Sequence, residues 1–189
     1  DGTVISFVSE GGKVEPNCST VQGVCSVTLT TQEPRPLDNR VTVLAYVEGD
    51  KAYTDLDGDN LYTEGVDTLL SNIGDFFRDD DENLAYNADN NEYLYKRSDA
   101  GTAACAASTI TQPNLANTCH NRLSATLRHQ MLFAFSHDAP TFVGISGIDQ
   151  AMTKITNDRF TFQVFGNTQR LVPMPSGTTV SVSVKDNTE

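Results

Sequence analysis

The feature that most constrains this chain is an acidic stretch at residues 50–99. It holds 14 of the chain's 25 acidic residues and 4 of its 13 basic ones, a local charge of −10 out of a total of −12. Carboxylates at this density repel one another unless cations lie among them. Asp55, Asp57 and Asp59 stand two apart, which is how a flexible loop wraps oxygen ligands around a hard cation. We therefore predict a calcium-ordered insert carried by a β scaffold.

The chain before this insert carries three β patterns separated by turn residues. Residues 3–9 are rich in β-branched side chains, residues 26–31 alternate polar and apolar, and residues 41–47 form a further strand-like run. Pro34 and Pro36 interrupt the chain between the second and third patterns. This organisation predicts an all-β fold built as an antiparallel β-sandwich.

The other segments are less uniform. Residues 123–136 alternate well enough for a long strand, with a helix as the alternative for their centre. Residues 159–165 are strand-like, and residues 178–185 alternate strictly. The weaker expectations are a short helix over 67–77, a strand over 142–148, and a helical turn or a strand over 148–155.

Four cysteines occur as two local pairs, Cys18 with Cys25 and Cys105 with Cys119. Their even number, without a CxxC motif or a histidine spacing suited to zinc, favours disulfides formed in an oxidising compartment. Three connectivities are possible, and we favour the two local bridges, the second of which ties a loop over residues 100–121. The alternative is four free, buried thiols in a cytosolic protein.

The first candidate ion site begins at Asp55. Asp55, Asp57 and Asp59 match positions 1, 3 and 5 of an EF-hand-type loop, and the carbonyl of Leu61 suits position 7. The twelfth position is Val66, so the loop is not an EF-hand, and Glu64 or Asp67 must complete the ligand shell. The alternative is a solvated acidic turn, because Asp, Asn and Gly are ordinary turn formers.

Two further candidate sites follow in the same stretch. Asp79, Asp81 and Asn83 repeat the two-residue spacing after the aromatic pair Phe76-Phe77, as the first trio does after Tyr53. A third group has one carboxylate between two amides and either forms its own site or shares ligands with a neighbouring ion. The full set of predicted ligands is Asp55, Asp57, Asp59, Leu61, Glu64, Asp67, Asp75, Asp79, Asp81, Asn83, Asp89 and Asn91, with Asn87 beside the last group.

The strand sequences resemble the bacterial immunoglobulin-like repeats of invasin/intimin adhesins. The resemblance rests on the opening Asp1-Gly2-Thr3-Val4-Ile5-Ser6-Phe7, the turn Gly11-Gly12, the strand Ser26-Val27-Thr28-Leu29-Thr30 and the strand Arg40-Val41-Thr42-Val43-Leu44-Ala45. It covers roughly residues 1–60 and 159–184, and it implies an immunoglobulin-like sandwich that forms rods on a cell surface. The cysteine pair near residue 20 and the acidic insert depart from the plain repeat.

The resemblance and an internal echo suggest the domain organisation. The opening eight residues resemble residues 176–183, which indicates a tandem period. We predict an immunoglobulin-like domain over residues 1–137 that contains the insert and the disulfide-tied loop. Residues 138–189 then supply strands of a following repeat, or strands that complete this sandwich or a neighbouring one. Strand donation between subunits would build a fibre by β-augmentation.

The sequence gives no set of catalytic residues. The histidines His120, His129 and His137 show no HExxH pairing, and His137-Asp138 is not accompanied by a Gly-x-Ser-x-Gly nucleophile elbow. The acidic balance argues against nucleic acid as a partner, and no apolar run of membrane-spanning length occurs. We therefore expect no enzymatic activity, no nucleic-acid binding and no membrane insertion.

The predicted function is structural or adhesive, as a segment of a bacterial surface adhesin or an extracellular fibre. Calcium would neutralise the insert and disulfides would stiffen the fold, with neighbouring copies or adjacent repeats as partners. The alternative is a calcium-dependent module that binds a carbohydrate or a host receptor. Four tyrosines of the insert could contact such a ligand: Tyr62, Tyr86, Tyr93 and Tyr95.

Overall fold

A computed structural model describes residues 1–144 and 161–183. Its regular structure is almost entirely β, with one short 3₁₀ helix at Ala88–Asn90. The strands are β1 Val4–Ser9, β2 Lys13–Val14, β3 Asn17–Ser19, β4 Leu29–Thr30, β5 Arg40–Asp50, β6 Tyr53–Thr54, β7 Thr68–Leu69, β8 Phe76–Phe77, β9 Leu94–Tyr95, β10 Ser124–Ala134, β11 Thr141–Val143 and β12 Gln163–Phe165. The all-β prediction is therefore confirmed. In the described ranges no helix is long and apolar enough to cross a membrane.

The chain divides into two compact units. The larger comprises Asp1–Pro36 and Val41–Phe133, and the smaller comprises Leu37–Arg40 and Ala134–Glu189. Within the smaller unit β11 and β12 form an antiparallel pair. The acidic stretch lies wholly in the larger unit, which also contains both disulfides.

A four-stranded sheet with the order β10-β5-β1-β3 is the main element of the larger unit. β1 is antiparallel to β5, with Ser6 opposite Tyr46 and Ser9 opposite Val43, and antiparallel to β3 on its other side. The inner strand β5 carries a buried run at residues 41–44, as its apolar sequence requires. The predicted strands at residues 3–9, 41–47 and 123–136 are confirmed, and the last is not a helix.

Several local predictions were wrong. Residues 67–77 form no helix, because β7 pairs with β6 and β8 pairs with β9, so their backbone groups bond across ladders. Only Leu29–Thr30 of the strand expected over 26–31 is paired. Residues 178–183 are assigned to no strand, and Thr178 instead donates to the Pro175 carbonyl in a turn.

The core of the larger unit explains why the acidic stretch is not an appendage. Phe76 and Phe77, which belong to that stretch, are 0% and 1% exposed and are the largest fully buried side chains. The guanidinium of Arg128 lies 5.2 Å from the centre of the Phe76 ring. It also donates to the carbonyls of Pro113 and Gly74, so its charge is satisfied in the core. Most of residues 50–99 is irregular, as expected, but four two-residue strands cross this stretch and its two phenylalanines form part of the core.

Both predicted disulfides are present, Cys18 with Cys25 and Cys105 with Cys119. The second ties the loop predicted over 100–121, and Ala103 and Cys119 also exchange two backbone hydrogen bonds of 2.8 and 3.2 Å. The free-thiol alternative is thereby excluded, since no cysteine is unpaired in the structure. The expectations for residues 148–155 and for residues 159–160 lie outside the described residues.

Candidate metal centre

Two acidic loops each connect the strands of a two-residue antiparallel ladder. Loop A, residues 55–67, joins β6 to β7, and loop B, residues 79–92, joins β8 to β9. The backbone of Asp79, where loop B begins, is bonded to β10. Its N–H donates to Gln130 Oε1 at 2.9 Å, and its carbonyl accepts from Gln130 Nε2 at 3.1 Å. The first acid of loop B is therefore fixed to the main sheet.

The first carboxylate of each loop accepts two backbone N–H groups from the residues that follow it. Asp55 accepts from Gly58 at 2.7 Å and from Asn60 at 2.8 Å. Asp79 accepts from Asn83 at 3.1 Å and from Leu84 at 3.0 Å. In both loops the chain therefore curls around its first carboxylate, and both oxygens of that group are used.

The third and fifth residues of each loop form Asx-turns, in which the side-chain oxygen accepts the backbone N–H two residues ahead. In loop A, Asp57 accepts the N–H of Asp59 at 3.3 Å, and Asp59 accepts that of Leu61 at 2.7 Å. In loop B, the corresponding distances are 3.3 Å from Asn83 to Asp81 and 2.7 Å from Ala85 to Asn83. Each alternate side chain thus holds the backbone two residues ahead, which turns successive oxygens toward one side of the loop.

The last acid of each loop closes it with the same pair of contacts. Asp67 accepts the N–H of Leu56 at 2.8 Å and of Thr63 at 2.7 Å. Glu92 accepts the N–H of Asp80 at 3.3 Å and of Asn87 at 2.7 Å. These donors are the second and ninth residues of each loop. The closing acids Asp67 and Glu92 are thus equivalent, although loop B is one residue longer than loop A.

The backbone and the aromatic contacts also repeat. The fourth residues, Gly58 and Glu82, have φ of 79° and 53°. The sixth residues, Asn60 and Leu84, have φ of 63° and 67°. Each loop further carries a tyrosine against the aromatic residue two places before its first acid: the ring centroids are 5.4 Å apart for Tyr53 with Tyr62 and 5.9 Å apart for Phe77 with Tyr86. Loops A and B are two copies of one motif.

Each loop gathers three carboxylates whose oxygens lie within 4.8 Å of one another. In loop A these are Asp55, Asp57 and Asp59. In loop B they are Asp79, Asp81 and Glu92. The trios differ in burial, because the loop A acids are half-buried or exposed, whereas Asp79 is 0% and Glu92 is 5% exposed.

The first acids of the two loops have pKa values shifted in opposite directions. Desolvation raises the pKa of both Asp79 and Glu92, since a buried carboxylate loses its hydration. In loop A the N–H groups of Asn60 and Gly58 lower the pKa of Asp55, because they favour its charged form. The two buried acids of loop B are therefore carboxylates whose charged form is disfavoured by their surroundings in the protein.

No cationic side chain compensates the loop B acids. The nearest arginine in sequence, Arg78, makes a bidentate pair with Asp80, at 2.5 and 2.7 Å, and donates to the Ser9 carbonyl. Within residues 1–144 and 161–183, no ion pair reaches Asp79, Asp81 or Glu92. Three clustered carboxylates, two of them buried, thus have only N–H donors as partners.

The ligand atoms available in loop B suit a hard cation. One oxygen of Asp81 is surrounded by the amide groups of Asn83, Asn87 and Asn90, at 2.9, 3.2 and 3.0 Å. Each amide also carries an oxygen that it can turn toward an ion. Calcium takes six to eight oxygen ligands in flexible geometry, whereas zinc prefers nitrogen and sulfur. An all-oxygen set of this kind fits calcium.

The predicted ligands fall into three groups. Those that the structure brings together in loops A and B are Asp55, Asp57, Asp59, Asp67, Asp79, Asp81 and Asn83. Asp75 instead accepts the backbone N–H of Arg97 at 2.9 Å. Leu61 and Glu64 belong to loop A but are exposed and in neither trio. Asp89 and Asn91 lie in and directly after the 3₁₀ helix, exposed and outside both trios.

Glu92 is the residue that the sequence analysis missed. A shift of 24 positions maps Asp55, Asp57 and Asp59 onto Asp79, Asp81 and Asn83, but it maps Asp67 onto Asn91. Loop B has one additional residue, so its closing acid is the next one along the chain. An alignment of the two loops that allowed this insertion would have found it.

Comparison with protein-family models, with curated proteins and with solved structures gave no match. The chemistry of loops A and B is therefore argued from their own geometry and charge.

Proposed function

We propose that this chain is a structural or adhesive repeat of a bacterial cell-surface adhesin or extracellular fibre, in which Ca²⁺ bound in loops A and B orders the acidic stretch. The observation that carries the proposal is the pair of buried acids Asp79 and Glu92, held beside Asp81 with no ion pair from residues 1–144 or 161–183. A divalent ion between these carboxylates would remove their repulsion and offset the cost of burying them. No catalytic step is part of this function.

The position of loop B makes its ion important for the whole unit. The strands that flank it contain Phe76 and Phe77, the largest buried side chains of the core. An ion that fixes loop B therefore also fixes the ladder that delivers these rings. An ion that binds only the folded state stabilises it by about 2.7 kcal/mol at a hundredfold excess over its dissociation constant. Such a term is a large part of the stability of a typical domain.

The disulfides and the charge support an extracellular location. Two disulfides are expected in an oxidising compartment. A net charge of −12 suits a solvated surface in contact with calcium, which is abundant outside cells. We place the protein at the bacterial surface because of the sequence resemblance to immunoglobulin-like repeats, whose sandwich arrangement remains part of this proposal.

Residues 177–183 support assembly with neighbouring copies or adjacent repeats. The segment alternates polar residues with Val180 and Val182, which are 45% and 60% exposed, and no described strand pairs with it. It begins at Gly177, whose φ of 87° matches the 83° of Gly2 before β1. A segment that resembles β1 and lacks a partner is suited to complete a sheet in another unit.

The carbohydrate- or receptor-binding alternative has less support from the tyrosines. Tyr62 and Tyr86 pack on the aromatic residues that precede their loops. Tyr93 and Tyr95 pack against Tyr46, with ring centroids 6.4 and 5.3 Å away. Part of the surface of each of these rings is therefore already used in contacts within the fold.

Thermal unfolding at one protein concentration tests the proposal. We expect calcium to raise Tm by roughly 5 to 11 °C over a chelator, which is the shift that one site saturated a hundredfold would give in a domain of this size. Magnesium should give a smaller shift, since it demands a stricter octahedron and holds its water. Equal Tm values in calcium and in chelator would contradict an ion-ordered fold.

A further inference from the structure

A second buried charge of the larger unit lies outside the loops. Lys51 follows β5, is 3% exposed, and ends in a pocket of oxygen atoms. Its Nζ donates to the carbonyls of His120 and Arg122, at 2.6 and 2.9 Å, and to the side-chain Oδ1 of Asn72 at 2.9 Å. No carboxylate contacts this ammonium group in the described ranges. The amine of a buried lysine is therefore held against the side-chain amide of Asn72.

The imidazole of His120 is oriented as a base toward this amine. Its Nδ1 lies 3.4 Å from Lys51 Nζ and accepts the backbone N–H of Arg122 at 3.2 Å, so this nitrogen carries the lone pair. Its Nε2 lies 3.5 Å from Asp99 Oδ2, which suits the N–H of the other ring nitrogen. Amine, imidazole and carboxylate form the sequence of nucleophile, base and orienting group that activates nucleophiles in proteins.

The amide of Asn72 is fixed in one orientation. Its oxygen accepts from Lys51 Nζ at 2.9 Å, and its nitrogen donates to the Ala104 carbonyl at 3.4 Å, a group that can only accept. The backbone carbonyl of the same residue accepts the N–H of Ala106 at 2.7 Å. The amide nitrogen therefore points away from the amine and is placed to leave.

We propose that Lys51 and Asn72 condense into an intramolecular amide crosslink, with His120 as the proton carrier. The Nζ lone pair attacks Cγ of Asn72 and forms the new N–C bond. His120 Nδ1 takes one proton from the attacking nitrogen and delivers it to the departing amide nitrogen, so the old C–N bond breaks and ammonia leaves. Charge and atoms balance without any oxidant or co-reactant.

The protonation states favour this step near neutral pH. Burial, followed by the charge of Arg97, lowers the pKa of Lys51 to about 8, so a substantial fraction is the free amine in mildly alkaline solution. Desolvation, followed by the charge of Lys51, lowers the pKa of His120, which keeps the imidazole neutral and able to accept a proton. Asp99 and Arg122 are the other charged groups that act on this pair.

A slow reaction is sufficient, because each molecule reacts once and the lost ammonia is diluted away. Well-oriented intramolecular reactions reach effective molarities of about 10⁵ to 10⁸ M, which is what an unreactive amide requires. The crosslink would close a covalent ring over residues 51–72 and enclose all of loop A. It goes beyond the proposed function, since it requires no calcium.

Intact-mass measurement of the full chain tests the proposal. The native protein is incubated near pH 8, about the pKa of Lys51, until its mass is constant, and is then reduced and denatured. We expect a mass lower than the sequence mass by one ammonia. Trypsin should fail to cleave after Lys51, giving one peptide over residues 41–78 with the same deficit. A full sequence mass with normal cleavage after Lys51 would overturn the proposal, and this result requires no variant to fold.

Four variants assign the deficit to these residues, with Asn121→Ala as the matched control. Lys51→Arg and Asn72→Ala should both keep the full mass, whereas Asn121→Ala, an exposed neighbour of His120, should lose ammonia as the wild type does. His120→Gln should slow the loss at least tenfold while far-UV circular dichroism remains unchanged. An ammonia loss that persists in Lys51→Arg would mean that an asparagine cyclises elsewhere, which also overturns the crosslink.

Discussion

Loops A and B have the same hydrogen-bond frame but opposite surroundings. In both, the first carboxylate accepts two backbone N–H groups from residues that follow it, and the third and fifth residues form Asx-turns. The last acid accepts the backbone N–H groups of the second and ninth loop residues. Loop A presents its trio near the surface. Loop B buries Asp79 and Glu92 and is bonded to β10 through Gln130.

The difference shows what burial adds to an acidic motif. The carboxylate of Asp55, which accepts two backbone N–H groups, is stable as an anion, as its lowered pKa indicates. In loop B the same hydrogen-bond pattern is buried, and desolvation disfavours the charged form of its first carboxylate, as the raised pKa of Asp79 indicates. Under the proposed function, loop A can therefore exist as an ordinary turn without an ion, whereas loop B has the greater need for one.

The largest expected effect concerns the aromatic residues that stand two places before each loop, Phe77 before loop B and Tyr53 before loop A. Phe77→Ala should destabilise the protein by about 3 to 5 kcal/mol, because it removes a fully buried ring and leaves a cavity. Tyr53→Ala, at the equivalent position before loop A, should cost about 1 kcal/mol, because that ring is half-exposed. Urea unfolding in excess calcium measures both. Equal losses of unfolding free energy in the two variants would contradict a larger contribution to stability from the β8–β9 ladder than from the β6–β7 ladder.

The next effect concerns the ions themselves. Asp79→Asn and Asp55→Asn should each remove about 2.7 kcal/mol of the stabilisation that a hundredfold calcium excess provides at one site. In chelator the two variants should differ, with Asp55→Asn costing more, since backbone donors favour the charge of Asp55 and burial disfavours that of Asp79. Urea unfolding of each variant in calcium and in chelator gives the four values. A larger loss for Asp79→Asn in chelator would contradict the contrast.

A smaller effect should appear in the pH dependence. A carboxyl whose pKa is raised by folding contributes stability that is present below its unfolded pKa and is lost as pH rises through the folded pKa. In chelator, acidification from about pH 7 to about pH 5 should therefore stabilise the wild type relative to Asp79→Asn/Glu92→Gln. With calcium in excess the sign reverses, because protons compete with the ion. Tm values of both proteins at each pH check this, and identical slopes would contradict it.

The smallest effect concerns the backbone at the sixth loop position. Leu84 adopts φ of 67°, which disfavours a branched side chain, so Leu84→Gly should stabilise the protein by about 0.5 to 1 kcal/mol. Asn60→Gly in loop A should change stability by less, because asparagine tolerates this conformation. Paired denaturation curves in calcium measure the difference. A destabilised Leu84→Gly would show that the leucine side chain has a packing role.

The sequence was sufficient for the local features that depend on spacing. β-Branched and apolar composition predicted β1 and β5, alternation predicted β10, and the proximity of the cysteines predicted both bridges. The two-residue spacing of acids identified the start of each loop. These features depend on neighbours along the chain, so periodicity and spacing can reveal them.

Neither the role of Glu92 as the last acid of loop B nor the burial of that loop could be predicted from local spacing. Glu92 is bonded to residues five and twelve positions before it, and its role follows from a one-residue difference between the loops. The short strands β6 to β9 have two residues each, which is below the length that a pattern can reveal. The burial of Phe76 in the core, beneath Arg128, depends on residues far apart in sequence. Long-range packing of this kind overrides local pattern.

Calorimetric titration of calcium into the calcium-free full chain tests the central claim most directly. The account predicts two bound ions per chain, reduced to one by Asp79→Asn and to one by Asp55→Asn. Absence of binding at millimolar calcium, or a stoichiometry that neither substitution changes, would contradict it.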